Sequence, residues 1–133
     1  MLDLIIKNGK CYIDGNLEEK DIAIKDGKIL KIGKISEECK DTYDAKDQTV
    51  LPGCIDTQTH FREPGSTDTE DLHSGSRAAI VGGITAVFEM PNTNPPTATK
   101  KEFQRKLDLA KNRMYCNYAF YFGATADNAN ELA

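Results

Sequence analysis

The sequence predicts an α/β protein in two segments. Residues 1–51 have the alternating apolar residues and tight-turn dipeptides of a small β-domain. From Pro52 onward, strand-like and helix-like stretches alternate, which indicates a parallel sheet covered by helices. Three strands are predicted in residues 52–133, and three do not complete any common fold of this class. We therefore expect the chain to be a fragment.

Turn dipeptides define the predicted strands of the first segment. Asn8-Gly9, Asp14-Gly15 and Asp26-Gly27 each separate two short apolar runs. Such dipeptides favour tight turns because the central positions need positive φ angles. Four strands are predicted between these turns, at 3–7, 10–13, 21–25 and 28–35.

Helix caps and glycines divide the second segment. The strands are predicted at 55–60, 84–90 and 115–122, and the apolar run 84–90 is typical of a strand buried on both faces. Thr67-x-x-Glu70 predicts the start of a first helix, which Gly82-Gly83 ends, and Asp127 predicts the start of a third. For the second helix, Thr99-x-x-Glu102 predicts the cap, and its apolar face is Phe103, Leu107, Ala110 and Met114.

Composition excludes several classes of protein. With 39% hydrophobic and 29% charged residues, the chain is typical of a globular protein, and no apolar run approaches the roughly 18 residues of a spanning helix. The net charge of −4 argues against nucleic-acid binding, and the lysines are expected on solvated faces. We expect no membrane association, a cytoplasmic location and free thiols, several of them buried, at the four cysteines.

The first candidate site lies along the strand predicted at 55–60 and just after it. Asp56, Gln58, His60 and Arg62 alternate along the chain, so a continuing strand would direct them to one face. The imidazole can bind a transition metal, and the guanidinium can hold a carboxylate through two hydrogen bonds. The same residues could equally line a polar strand end without a metal.

The second candidate follows the next strand, at Met90-Pro91-Asn92-Thr93. The Asn92 carboxamide can donate two hydrogens to an anion, or Asn92 can serve only as a turn residue ahead of Pro95-Pro96. In parallel α/β folds, functional groups gather at the carboxyl ends of strands, where both clusters lie. His73, in the predicted first helix, is expected to be structural.

Residues 52–65 resemble the signature of the amidohydrolase superfamily and of its cyclic-amidase branch. The usual pattern there is a strand ending Asp-x-His-x-His, whose histidines hold one or two divalent metals. The continuation His60-Phe61-Arg62-Glu63-Pro64-Gly65 is similar to dihydroorotases, and Met90-Pro91-Asn92-Thr93 is similar to a second dihydroorotase signature. The resemblance covers essentially the whole chain. Hydantoinases share the metal motif but usually lack the Arg-Glu-Pro-Gly continuation. Allantoinases are closer but tend not to carry the arginine.

The resemblance implies a fold and a reaction. The fold is the N-terminal part of a TIM (β/α)8 barrel: residues 52–133 would supply its first three β/α units, and residues 1–51 part of a composite β-sandwich. The reaction is reversible hydrolysis of dihydroorotate to N-carbamoyl-aspartate, a step of pyrimidine synthesis. Arg62 and Asn92 would bind the substrate carboxylate, His60 would bind Zn²⁺, and the protein would be a homo-oligomer. The remaining metal ligands and the catalytic aspartate lie beyond Ala133 in this family, so the fragment is expected to be inactive.

Gln58 departs from the family pattern, because it occupies the position of the first metal-binding histidine. A carboxamide is a poor zinc ligand. Two hypotheses follow. The whole protein is an active dihydroorotase with an altered metal site, or it is a non-catalytic dihydroorotase-like subunit that supports aspartate transcarbamoylase.

Overall fold

A computed structural model describes residues 1–131, which form two compact units. The first unit is Met1–Pro52 and the second begins at Gly53. The division falls where the sequence changes from a β pattern to alternating strands and helices. None of the helices in the described residues has the length and apolar character needed to cross a bilayer.

The first unit is a mixed five-stranded sheet. Its strands are β1 (Leu2–Ile13), β2 (Asn16–Lys25), β3 (Lys28–Gly33), β4 (Cys39–Asp44) and β5 (Thr49–Val50). The strand order is β3-β2-β1-β4, and β5 pairs with a later part of β1 than β4 does. The pairs β1–β2 and β2–β3 are antiparallel, whereas β4 and β5 run parallel to β1. Leu2, Ile5 and Ala23 form its buried apolar cluster, which Ile35 and Cys39 flank.

The prediction of a turn at Asn8-Gly9 was wrong, because β1 runs through it as one strand. Asn8 has a φ of 55°, and the pairing with β2 shifts between Ile6 and Gly9. The positive φ therefore makes a β-bulge rather than a hairpin. Glycine is needed next to it, because a Cβ on Gly9 would lie 2.7 Å from Val50 Cγ2.

The other two dipeptides form the predicted tight turns, and each joins two antiparallel strands, which confirms the hairpin at Asp26-Gly27. Asp14 and Gly15 have φ angles of 47° and 86°, and Asp26 and Gly27 have φ angles of 51° and 71°. Positive φ at both central positions matches the right-handed twist of the flanking strands. These two turns fix the register of β1, β2 and β3.

The second unit alternates strands and helices. Its elements are β6 (Cys54–Thr59), α1 (Leu72–Val81), β7 (Ile84–Glu89), α2 (Lys100–Ala110), β8 (Asn117–Phe120) and a short 3₁₀ turn, Ala129–Glu131. The sheet is parallel, in the order β6-β7-β8, so the carboxyl ends of all three strands lie at the same edge. Phe61, Leu72, Val87, Ala110 and Cys116 form the buried core between the sheet and the helices.

The two main helices begin at different kinds of cap. For α2 the prediction is confirmed, since the Thr99 hydroxyl accepts from Glu102 N. For α1 it was wrong, because residues 67–69 form a turn and the capping box consists of Asp71 and Ser74. Asp71 Oδ1 accepts from Ser74 N at 2.6 Å, and this bond lowers the pKa of the Asp71 carboxyl. Glu70 lies just outside the helix, so its side chain cannot complete a box.

Two further expectations for this unit were only partly met. β7 is buried on one face, through Val87 and Glu89, while Phe88 on the other face is 38% exposed. The helices α1 and α2 cover only the first of these faces. Asp127 lies two residues before the 3₁₀ turn at Ala129–Glu131, and the rest of the third predicted helix lies outside the described residues.

The cysteines are free thiols, as expected. Cys11 and Cys116 are buried, and Cys54 is exposed. Burial also raises the pKa of the Cys116 thiol.

Candidate active site

The candidate site lies at the carboxyl ends of β6, β7 and β8. Backbone hydrogen bonds extend the sheet by one residue beyond the strands: Met90 N donates to Thr59 O at 2.9 Å, and Tyr121 N donates to Glu89 O at 3.0 Å. The segments that leave the three strands therefore start side by side. His60 follows β6 directly, and the 91–97 loop follows β7.

His60 and Asn92 are in direct contact. His60 Nδ1 and Asn92 Oδ1 are 2.9 Å apart. With the Asn92 carboxamide oxygen facing the ring, this contact assigns the imidazole proton to Nδ1, because such an oxygen only accepts hydrogen bonds. The neutral ring then has its lone pair on Nε2, which is the form that binds a metal. The hydrogen bond to Nδ1 also fixes the orientation of the ring.

Arg62 and Asn92 line one small cavity beside this hydrogen bond. The cavity has a volume of about 120 Å³, which is less than the roughly 300 Å³ of a typical ligand pocket. It can hold a small polar group rather than a whole substrate. Its lining residues are Phe61, Arg62, Pro64, Ser66, Asn92, Thr93 and Asn94.

Gly65 allows the two strand-end loops to meet around this cavity. Its φ is +123°, and a Cβ there would lie 2.8 Å from Asn94 Cβ and 3.0 Å from Asn94 O. Asn94 N donates to Pro64 O at 3.0 Å. Both the backbone angle and the close approach favour glycine at this position.

Glu63 links the loop after β6 to Arg113 and to the start of α1. Its carboxylate is buried and accepts two hydrogen bonds from the Arg113 guanidinium, at 2.8 and 3.0 Å. It also accepts from Leu72 N, at the start of α1, at 3.0 Å. Arg113 lies 50 residues away, so no local pattern in the sequence could reveal this pair.

Lys106 contradicts the expectation that the lysines lie on solvated faces. Its side chain is fully buried in α2 and forms an ion pair with Glu89, which is also fully buried. The sequence contained a signal, because Lys106 is three residues after Phe103 and four before Ala110, both on the predicted apolar face. A lysine within an apolar stripe needs a buried partner.

The buried pair perturbs the ionisation of both groups. Burial raises the pKa of Glu89 to about 7, and the charges of Lys106 and, more weakly, Arg62 oppose this effect. Burial lowers the pKa of Lys106, which Glu89 opposes. Glu89 Oε1 has no hydrogen-bonding partner within residues 1–131.

Asp56 and Gln58 do not join His60 in a metal centre. The Asp56 carboxylate instead accepts from Gln58 N at 2.9 Å, and the regular alternation ends at Thr59, where β6 stops. No group of three His, Cys, Asp or Glu side chains that could hold a metal occurs in the described part of the chain. A catalytic zinc needs about three protein ligands, so residues 1–131 do not fit this cofactor on their own.

His73 lies in α1, away from His60, Arg62 and Asn92 in the sequence, and its side chain contacts Tyr115. Its Nε2 is 3.1 Å from the Tyr115 hydroxyl, and the two rings pack edge to face with centroids 5.0 Å apart. This contact links α1 to the segment before β8, as expected of a structural residue.

The parallel strands, with polar loops at their carboxyl ends, are typical of α/β enzymes whose site lies at the ends of the strands, and comparison with known proteins identifies the family. The profile of the amidohydrolase family matches residues 49–131. The chain belongs to the amidohydrolase family.

Curated relatives carry two different names. The chain is 40% identical over 129 residues to a dihydroorotase of Methanosarcina mazei, covering 96% of this chain and 28% of the relative. It is also 40% identical over 131 residues to an allantoinase of Escherichia coli O1:K1, covering 98% of this chain and 29% of the relative. The chain thus spans less than a third of the length of these relatives.

Solved structures show the same fold. The L-hydantoinase (dihydropyrimidinase) of Arthrobacter aurescens matches with a TM-score of 0.91 and 34% identity, over 99% of this chain and 30% of that enzyme. A D-hydantoinase matches with a TM-score of 0.81 and 36% identity, again over 99% and 30% of the two chains. The α/β fold predicted from the sequence is that of these amidohydrolase structures.

Proposed function

We propose that the protein containing this chain hydrolyses dihydroorotate reversibly to N-carbamoyl-L-aspartate, a step of pyrimidine synthesis. The observation that carries the proposal is the small cavity that Arg62 and Asn92 share beside His60. Dihydroorotate has a carboxylate on its ring, and this cavity combines a cation and an amide next to a potential metal ligand. The named dihydroorotase relative agrees with this substrate.

Arg62 and Asn92 would bind the substrate carboxylate. A guanidinium matches the plane of a carboxylate and can donate two parallel hydrogen bonds. Asn92 Oδ1 is occupied by His60, so the Asn92 amide hydrogens are the groups left to donate. Together they would fix the ring in one orientation, which lowers the entropic part of the barrier.

Zinc is the cofactor that we propose for the whole protein. His60 Nε2 would be one of its ligands, and the rest of the ligand set and the catalytic aspartate would come from residues outside this chain. We further propose that the protein is a cytoplasmic homo-oligomer and that it binds neither nucleic acid nor a membrane.

Two other functions have specific support. Gln58, in place of a metal-binding histidine, favours a non-catalytic subunit that supports aspartate transcarbamoylase. The allantoinase relatives, equal in identity to the dihydroorotases, favour allantoin as the substrate, and the structural match favours hydantoins. Neither of these last two rings has a carboxylate directly on it, so neither accounts for Arg62.

A substrate panel separates these functions. Full-length protein purified with zinc would be assayed for hydrolysis of dihydroorotate, allantoin, hydantoin and dihydrouracil, and its metal content measured in parallel. We expect dihydroorotate to have the highest kcat/KM and at least one zinc to be bound. A higher kcat/KM for allantoin or hydantoin would refute dihydroorotate as the substrate. A folded protein that binds no zinc and hydrolyses none of the four compounds would favour the non-catalytic subunit.

A further inference from the structure

The Lys106 amine is buried at the base of the 91–97 loop. The side chain has no solvent exposure. It donates to Met90 O at 3.0 Å and to Thr97 Oγ1 at 3.3 Å, while it forms the ion pair with Glu89. An ammonium has three hydrogens, and these three oxygens can accept all of them.

The acceptors of Lys106 lie at the two ends of the loop. Met90 immediately precedes the loop, and Thr97 is its last residue. Thr97 N also donates to Pro91 O at 2.9 Å, and the Thr93 and Thr97 hydroxyls are 3.3 Å apart. The loop is therefore closed at its base by a network that depends on one buried amine.

The opposite side of the loop faces the candidate site. Asn92 contacts His60, and Asn94 packs against Gly65 and bonds to Pro64 O. A shift at the base would be transmitted to Asn92, because only Pro91 separates it from the anchored Met90. Asn92 itself has no contact with Lys106, so the influence is indirect.

We propose that Lys106 is a positioning residue, whose buried amine fixes the base of the 91–97 loop and thereby holds the Asn92 carboxamide against His60. An apolar residue would fill the same volume in the core without the cost of burying a charge. Only a group with several donors can join the ends of the loop to Glu89. The effect of Lys106 on catalysis rests on the proposed function, whereas its effect on the contact between Asn92 and His60 does not.

The test measures the tautomer of His60 by nitrogen-15 NMR of metal-free full-length protein at pH 8. The His60 signals are assigned with a His60→Gln variant. In the unchanged protein we expect the proton on Nδ1. In Lys106→Met we expect the Nδ1–H tautomer to become the minor form, while Lys101→Met, an exposed neighbour on α2, leaves the spectrum unchanged.

A milder variant is measured as well, for the case that Lys106→Met does not fold. Thr97→Val removes one acceptor of Lys106 but keeps the ion pair and the side-chain volume. It should shift the His60 tautomer in the same direction by a smaller amount. A folded Lys106→Met with the tautomer of the unchanged protein would overturn the proposal, as would an unchanged tautomer in Thr97→Val where Lys106→Met is unfolded.

Kinetics separate the positioning role from the proposed reaction. If the protein hydrolyses dihydroorotate, Lys106→Met should raise KM for dihydroorotate more than for dihydrouracil, which has the same ring without the carboxylate. A merely structural role would lower the amount of active enzyme and leave both KM values unchanged, and that result would refute the positioning role. If the unchanged protein does not act on dihydroorotate but the His60 tautomer still depends on Lys106, the proposed function fails and the positioning stands.

Discussion

Replacing Lys106 by methionine should destabilise the protein in a pH-dependent way. The substitution keeps most of the side-chain volume but leaves the fully buried Glu89 carboxylate without its counter-charge. Breaking a buried ion pair in this way costs about 3–5 kcal/mol of the free energy of unfolding. We expect this full loss at pH 8. Without Lys106, Glu89 must then either stay charged in the core or bind a proton at a low proton concentration.

The loss should be smaller at pH 5. The pKa of Glu89 is raised to about 7 in the folded protein, compared with about 4.3 for an unperturbed glutamate. Between these values the folded state binds a proton that the unfolded state does not, so the contribution of Glu89 to stability falls as the pH rises. Lys106 lowers this pKa, so the pKa of Glu89 lies higher still in the variant. Glu89 is then neutral in both folded proteins at pH 5, but above pH 7 it ionises more readily in the unchanged protein, so the loss grows as the pH rises through 7. A neutral Glu89 at pH 5 no longer needs the ammonium, and only the hydrogen bonds of Lys106 are lost, about 1–2 kcal/mol.

The assay is urea unfolding of purified protein at both pH values, followed by circular dichroism. Lys101→Met is the matched control, since a change at an exposed position should stay within about 0.5 kcal/mol. The double variant Glu89→Leu with Lys106→Met should recover most of the loss, because it removes both charges. A loss below about 1 kcal/mol at pH 8, or the same loss at both pH values, would refute the assigned role of this pair.

Three other predictions address the glycine, the metal site and the thiols. Gly65→Ala should lower the free energy of unfolding by about 1–3 kcal/mol, and by more than Gly15→Ala. Gly65 has both a φ of +123° and a close neighbour, whereas Gly15 faces open space. Equal melting temperatures of the two variants would contradict this. Gln58→His should raise the zinc content of full-length protein, measured by atomic emission, and unchanged content would show that this position is not a ligand site. In Ellman titration of the folded protein, the exposed Cys54 should react before the buried Cys116, whose pKa is raised. Faster reaction of Cys116 would contradict its burial in the core.

Local signals in the sequence were sufficient for much of the fold. The hairpin at Asp26-Gly27, the cap at Thr99 and the end of α1 at Gly82-Gly83 depend on backbone angles or hydrogen bonds within a few residues. The failure at Asn8-Gly9 has the opposite cause, because pairing with the distant β5 continues β1 through the dipeptide. At Thr67 two local caps were possible, and the box of Asp71 with Ser74 forms instead of Thr67-x-x-Glu70.

The candidate site was predictable only in part. His60, Arg62 and Asn92 carry recognisable chemistry, and each lies just after a strand whose position the sequence indicates. The groups that support them are distant in sequence: Arg113 is 50 residues from Glu63, and Lys106 is 16 residues from Met90. The apolar stripe of α2 indicates that Lys106 is buried, but the partners of Lys106 and Arg113 depend on tertiary packing, which no local pattern encodes.

The proposed selection by Arg62 of a substrate with a carboxylate is tested most directly by one kinetic comparison. In full-length protein with zinc, kcat/KM would be measured for dihydroorotate and dihydrouracil with Arg62→Gln and with Arg77→Gln, an exposed arginine on α1. Losing a bidentate, charge-assisted pair costs about 3 kcal/mol, or roughly 100-fold. We predict that loss for dihydroorotate alone, in Arg62→Gln alone. An equal fall for both substrates, or no fall for either, would contradict the claim.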